Sequence, residues 1–138
     1  MKSNIKTDCG LEKYEELSKR KGFFNRVRFY WFVLFASIRD FCKKNRRNFY
    51  LANNIKLAIK CKLNGAYIPS FNKDLRHLNY KIKPNFSIIG SAHNLKEIRI
   101  KEAQNVSKIF ISSIFKLEKN YLGFYKFKNL SKKTKKKV

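Results

Sequence analysis

Hydrophobic and polar positions along this chain change rhythm from segment to segment, and each rhythm implies an element. Leu11 to Arg20 is amphipathic with helical spacing, and Lys21-Gly22 offers a natural helix end. Phe29-Tyr30-Trp31-Phe32-Val33-Leu34-Phe35 is continuous rather than alternating, which favours a strand covered on both faces over the alternative of a helix merging into Ala36 to Lys44, and a helix through Cys42 to about Arg46 follows. Phe49 to Ala52 is a short apolar strand. Asn53 and Asn54 supply a turn and a helix cap after it. Ile55, Leu57, Ala58 and Leu63 suit the inward face of a short helix ending near Asn64-Gly65. Ala66-Tyr67-Ile68 is the next strand, closed by Pro69 and Ser70. Asn72 is placed to cap a helix carrying Leu75 and Leu78, with His77 on its surface, before the buried strand Phe86 to Gly90. Asn94 and Glu97 have the spacing of a capping box at the head of a helix from Leu95 to Gln104 with a basic outer face. Lys108 to Ser112 is a further strand.

Strands alternating with helices of this length imply βαβ units, a parallel sheet and right-handed crossovers. Ligands of such sheets sit at the strand C-termini. That places the polar residues of interest at Asn53, Ser70, Asn72, Ser91, His93, Ser112 and Ser113. The expected organisation is a helical or irregular segment over 1–28, a βα body over 29–125 and a Lys-rich tail over 126–138, which by its composition reads as a solvated extension.

Composition narrows the functional classes. With 138 residues and 43% hydrophobic content, the chain can bury a core. Its 33 Lys and Arg against 9 Asp and Glu, net +24, attract polyanions: nucleic acid, acidic membrane surfaces or phosphorylated small molecules. The excess is mainly Lys and accompanies many Asn, Ile, Phe and Tyr, all with AT-rich codons, so base composition competes with function as its source. Cys9, Cys42 and Cys61 are odd in number and lack CxxC spacing, which argues against a disulfide framework or zinc site and favours a reducing, cytoplasmic setting. The longest apolar run, Phe29 to Ile38, falls well short of the roughly 20 residues of a membrane span, so no membrane partner is expected.

Four segments read in order carry a family resemblance. They are Leu51-Ala52-Asn53-Asn54-Ile55-Lys56-Leu57-Ala58, Gly65-Ala66-Tyr67-Ile68, Ser91-Ala92-His93-Asn94-Leu95-Lys96-Glu97 and Ser112-Ser113-Ile114-Phe115. They resemble successive motifs of the thiamine-phosphate synthase and TenI superfamily: Asn-Asp-x-x-x-Leu-Ala, Gly-Val-His-Leu-Gly-Gln-x-Asp, Ser-x-His-x-x-x-Glu and Gly-Pro-Ile-Phe. The resemblance runs from Asn48 to Gly123. It implies an α/β chain, an incomplete TIM-type (βα) barrel with parallel strands, because full barrels of this kind need eight βα units. A gene fragment or a strongly reduced relative is the expected origin, and an open sheet is expected to be marginally stable or to self-associate.

The family joins a pyrimidine diphosphate to a thiazole phosphate in thiamine biosynthesis, with Mg2+ holding the leaving pyrophosphate. By resemblance, Ser91 contacts phosphate and Lys119 neutralises it. The two positions matching metal-binding aspartates are Asn53 and Asn72, so neutral amides replace the carboxylates that a hard cation prefers. Tyr67 and Ser70 replace the family's His and Gln, Lys116-Leu117 replaces its Pro-Thr, and Ser113 stands where TenI relatives carry a catalytic histidine. Little or no turnover is therefore expected. The expected partner is a phosphorylated thiazole or pyrimidine. Two other classes compete with the synthase reading: a non-catalytic phosphate-ligand binder, and a small basic RNA-binding protein using Lys43, Lys44, Arg46, Arg47 and the tail. No RRM, KH or zinc-finger signature accompanies the charge, so no specific nucleic acid is expected.

Overall fold

The computed structural model describes residues 5–115 and 121–138, apart from the side chain of Cys9. The chain divides into two compact units, Met1–Phe49 and Tyr50–Val138.

The first unit is a pair of helices, α1 (Asp8–Ser18) and α2 (Phe23–Lys44). The strand expected over Phe29 to Phe35 is corrected here, since all seven residues lie inside the 22-residue α2. Their apolar side chains serve two opposite faces of one helix. Val33 and Ala36 are buried with Ile5, and Leu11, Tyr14, Phe29 and Phe32 pack around them. The rings of Tyr14 and Phe29 lie 5.0 Å apart at 60°. Below this cluster, Arg39 Nε donates to Asp40 Oδ1 at 2.9 Å and Arg39 Nη2 to Thr7 Oγ1 at 2.6 Å, while the Lys6 amide donates to Asp40 Oδ2 at 2.8 Å. Burial alone would raise the Asp40 pKa, but the Arg39 hydrogen bond and the Lys6 amide overcome it and hold the carboxyl below its ordinary value.

The second unit contains strands β1 (Tyr50–Ala52), β2 (Gly65–Ile68), β3 (Ser87–Ala92) and β4 (Lys108–Ile111), paired in parallel and in sequential order. Helix α3 (Ile55–Lys60) joins β1 to β2, and α4 (Leu95–Ala103) joins β3 to β4. This is the predicted α/β architecture, part of a TIM-type barrel in which the described strands form an open sheet. Two of the three predicted caps are present: Asn54 Oδ1 accepts from the Leu57 amide at 3.0 Å and Asn94 Oδ1 from the Glu97 amide at 2.9 Å. Gly65 is required by close packing, because a Cβ there would run into the Ser87 carbonyl oxygen and, at 2.6 Å, the Tyr50 ring.

One sheet face carries the core. Ile68, Ile88, Ala92, Ile109 and Ile111 are buried on it with Ile98 of α4 and Val106. The opposite face, which a closed barrel would turn inward, is only partly covered: Tyr67 and Ile89 are half-buried and Phe110 is 53% exposed.

The connection between β2 and β3 departs from expectation. Instead of an α-helix capped by Asn72, it holds one short 3-10 turn, Arg76–Asn79, while Asn72 Oδ1 accepts from the Asp74 amide at 2.7 Å. The tail also differs from a solvated extension. Gly123–Lys132 forms helix α5, whose Phe127 and Leu130 pack on the sheet core. Beyond it, Thr134 Oγ1 donates to Glu102 Oε1 at 2.8 Å and the Ile109 amide donates to the Lys137 carbonyl at 2.9 Å, so the chain end runs parallel to β4.

Candidate functional site

Asn53 follows the last residue of β1 with φ of 56°, a left-handed conformation that Asn tolerates better than most residues. Its amide donates to the Tyr67 carbonyl at 2.8 Å, which fixes it at the C-terminal end of the sheet. There the Asn72 side chain meets it, with Nδ2 donating to Asn53 Oδ1 at 2.5 Å.

Helix α4 determines where Asn72 sits. Lys101, wholly buried, donates from Nζ to the Asn72 carbonyl at 2.7 Å and to Gln104 Oε1 at 2.8 Å. Gln104 Nε2 in turn donates to the carbonyls of Asn72 at 3.0 Å and Asp74 at 2.9 Å. His77, expected on the surface, is 4% exposed, with Nε2 at 2.8 Å from the Gln104 carbonyl. A buried polar group needs a partner, and a backbone carbonyl left outside the helical ladder at the end of α4 supplies one. Burial pushes the Lys101 pKa down to about 8.

These contacts shape a shallow, mainly polar cavity of about 380 Å3, walled by Asn53, Lys56, Asn72, Asp74, Arg76 and Tyr80 among others. Arg76 donates from Nε and from its backbone amide to the Asp74 carboxylate at 2.7 and 2.9 Å, which holds the Asp74 pKa down to about 2. The same contact raises the Arg76 pKa. The cavity therefore offers neutral amides and lysine, and its carboxylate is already matched by a guanidinium. Among the described residues no three His, Cys, Asp or Glu side chains gather as a metal site. The donor set does not fit Mg2+, which prefers anionic oxygens.

Ser91 lies elsewhere, at the end of β3 on the opposite sheet face, and is not a wall of this cavity. Tyr67 Oη donates to Ser91 Oγ at 2.7 Å, so the serine keeps its own proton for another acceptor. His93 is exposed at the head of α4. Its backbone amide donates to Glu97 Oε2 at 2.7 Å, and its Nδ1 lies 2.7 Å from the Ser112 carbonyl. The Ser112 hydroxyl oxygen lies 3.5 Å from the same nitrogen. Lys119 lies outside the described residues.

Sequence reasoning missed Lys101, Gln104 and the Asp74–Arg76 pair. Lys101 and Gln104 follow Ile98 at intervals of three, on the turn where an inward residue belongs, and that spacing was the available signal.

No family model and no curated protein matches this chain. Among solved structures it is similar to a thiamine phosphate pyrophosphorylase from Pyrococcus furiosus, with a TM-score of 0.60 and 16% identity. The likeness is one of fold. It covers 75% of this chain and 50% of that one, so the chain spans about half the length of its structural neighbour.

Proposed function

We propose that this protein is a thiamine-phosphate synthase-like ligand binder, connected with thiamine biosynthesis, that holds a phosphorylated thiazole or pyrimidine without Mg2+ and turns it over little or not at all. The observation that carries this reading is the 2.5 Å contact between Asn53 and Asn72. Two carboxylates at that separation would repel unless a cation lay between them, whereas an amide N–H and an amide carbonyl satisfy each other directly. The pair thus closes on itself with no cation. Lys56 supplies positive charge for a phosphate at the cavity rim, and the Ser91 hydroxyl and Lys119 are assigned to phosphate by resemblance. The fold shared with a thiamine phosphate pyrophosphorylase supports the assignment of ligand class.

The test is a thermal melt of the purified chain with thiazole phosphate, with pyrophosphate and with heparin, each with Mg2+ and with EDTA. A ligand that binds only the folded state raises the midpoint. The expected result is a rise with thiazole phosphate that EDTA leaves unchanged and heparin does not match. Equal rises with every polyanion would replace this reading with non-specific polyanion binding. Mg2+-dependent formation of thiamine phosphate would replace it with an active synthase.

A further inference from the structure

Helix α2 carries a second surface on the side turned away from α1. Phe24, Val27, Trp31, Leu34, Ile38 and Phe41 recur at alternating intervals of three and four, and every one is exposed, including Phe24 at 85%, Trp31 at 56% and Phe41 at 65%. At 100° per residue they share one stripe along the helix. An apolar stripe of this length on a water-facing helix marks an interaction surface.

Its charged border selects the occupant. Arg26 and Arg28 are exposed near one end, and Lys43, Lys44, Arg46 and Arg47 at the other, while the one acid of the helix, Asp40, is buried against Arg39. A second copy would place cations against cations in either helix orientation. An anionic lipid surface is complementary to both ends, with the aromatic stripe at the level where headgroups meet acyl chains. Among the described residues no helix is long and apolar enough to cross a membrane, so the geometry is one of lying in the interface. We propose that α2 docks the protein on anionic bilayers through this stripe.

The protein has one tryptophan, Trp31, in the middle of the stripe, so the full chain reports its own insertion. It would be mixed with vesicles of phosphatidylcholine alone and of phosphatidylcholine with phosphatidylglycerol. Expected on the anionic vesicles are a blue shift of Trp31 emission and quenching by brominated acyl chains. Leu34→Ser with Phe41→Ser should weaken partitioning roughly tenfold or more, with helix content checked by circular dichroism. Vesicle binding that leaves Trp31 emission unmoved would reduce the contact to charge attraction and overturn the proposal. A concentration-dependent blue shift without lipid, together with a dimer by light scattering, would assign the stripe to a second copy instead. The wild-type quenching result decides the matter even if the double variant fails to fold.

Discussion

Asn72 Nδ2 donates to Asn53 Oδ1 across 2.5 Å, joining the residue that follows β1 to one nineteen positions on, in the loop after β2. Replacing both by Asp would convert a satisfied amide pair into two close like charges. Asn53→Asp/Asn72→Asp should melt lower than wild type in EDTA and recover with Mg2+, by about 2.7 kcal/mol at a hundredfold excess over Kd. Wild type should show no Mg2+-specific shift. Calorimetry with and without the cation checks both, and a Mg2+-dependent wild-type midpoint would contradict the cation-free pair.

Lys101 titrates near 8 when folded, below its ordinary 10.5, because burial disfavours its charged form. Between those values the unfolded chain binds more protons than the folded one, so stability contributed by this group rises with pH across that window. Melting midpoints at several pH values from 8 to 10 should therefore climb more steeply in wild type than in Lys101→Met. Equal slopes would show that the amine is not desolvated.

The buried Arg39–Asp40 contact anchors the start of the chain to α2. Asp40→Ala leaves a guanidinium buried beside an unpaired backbone amide and should cost the helical pair roughly 3–5 kcal/mol. The folded Asp40 pKa lies below its ordinary value, so this contribution is present above that value and fades as pH falls through the folded one. Urea unfolding of the variant, followed by helical ellipticity, reads the loss.

Phe127 and Leu130 hold α5 against the sheet. Phe127→Ala with Leu130→Ala should destabilise the sheet unit by about 2 kcal/mol, the lower part of the range for core truncations, since both side chains are only half-buried. Faster hydrogen exchange at Ile109, whose amide pairs with Lys137, is the local sign to look for. Unchanged exchange would mean that the tail packs independently of α5.

Local chemistry determined much of this protein. The strands from Tyr50 to Ile111, the Asn54 and Asn94 caps and the site's position at the strand C-termini follow from residue spacing, because side-chain periodicity and capping act within a few residues of themselves. The four family-like segments also lie in the order that a βα body requires. Tertiary structure decided the rest. Phe29 to Phe35 is compatible with a strand or a helix, and packing on α1 selected the helix, since helical spacing brings Phe29, Phe32, Val33 and Ala36 to one face whereas strand alternation would put Phe32 and Val33 on opposite faces. The burial of His77 and Lys101 depends on where the end of α4 meets the loop before β3. Residues 126–138 read as solvated because lysine dominates the composition, yet two apolar side chains one turn apart were enough to bring them onto the core. The pairing of Asn53 with Asn72 lay beyond sequence reasoning for the same reason: it joins the turn after β1 to the loop after β2, which Lys101 and Gln104 hold in place, and no local rule reports such a contact.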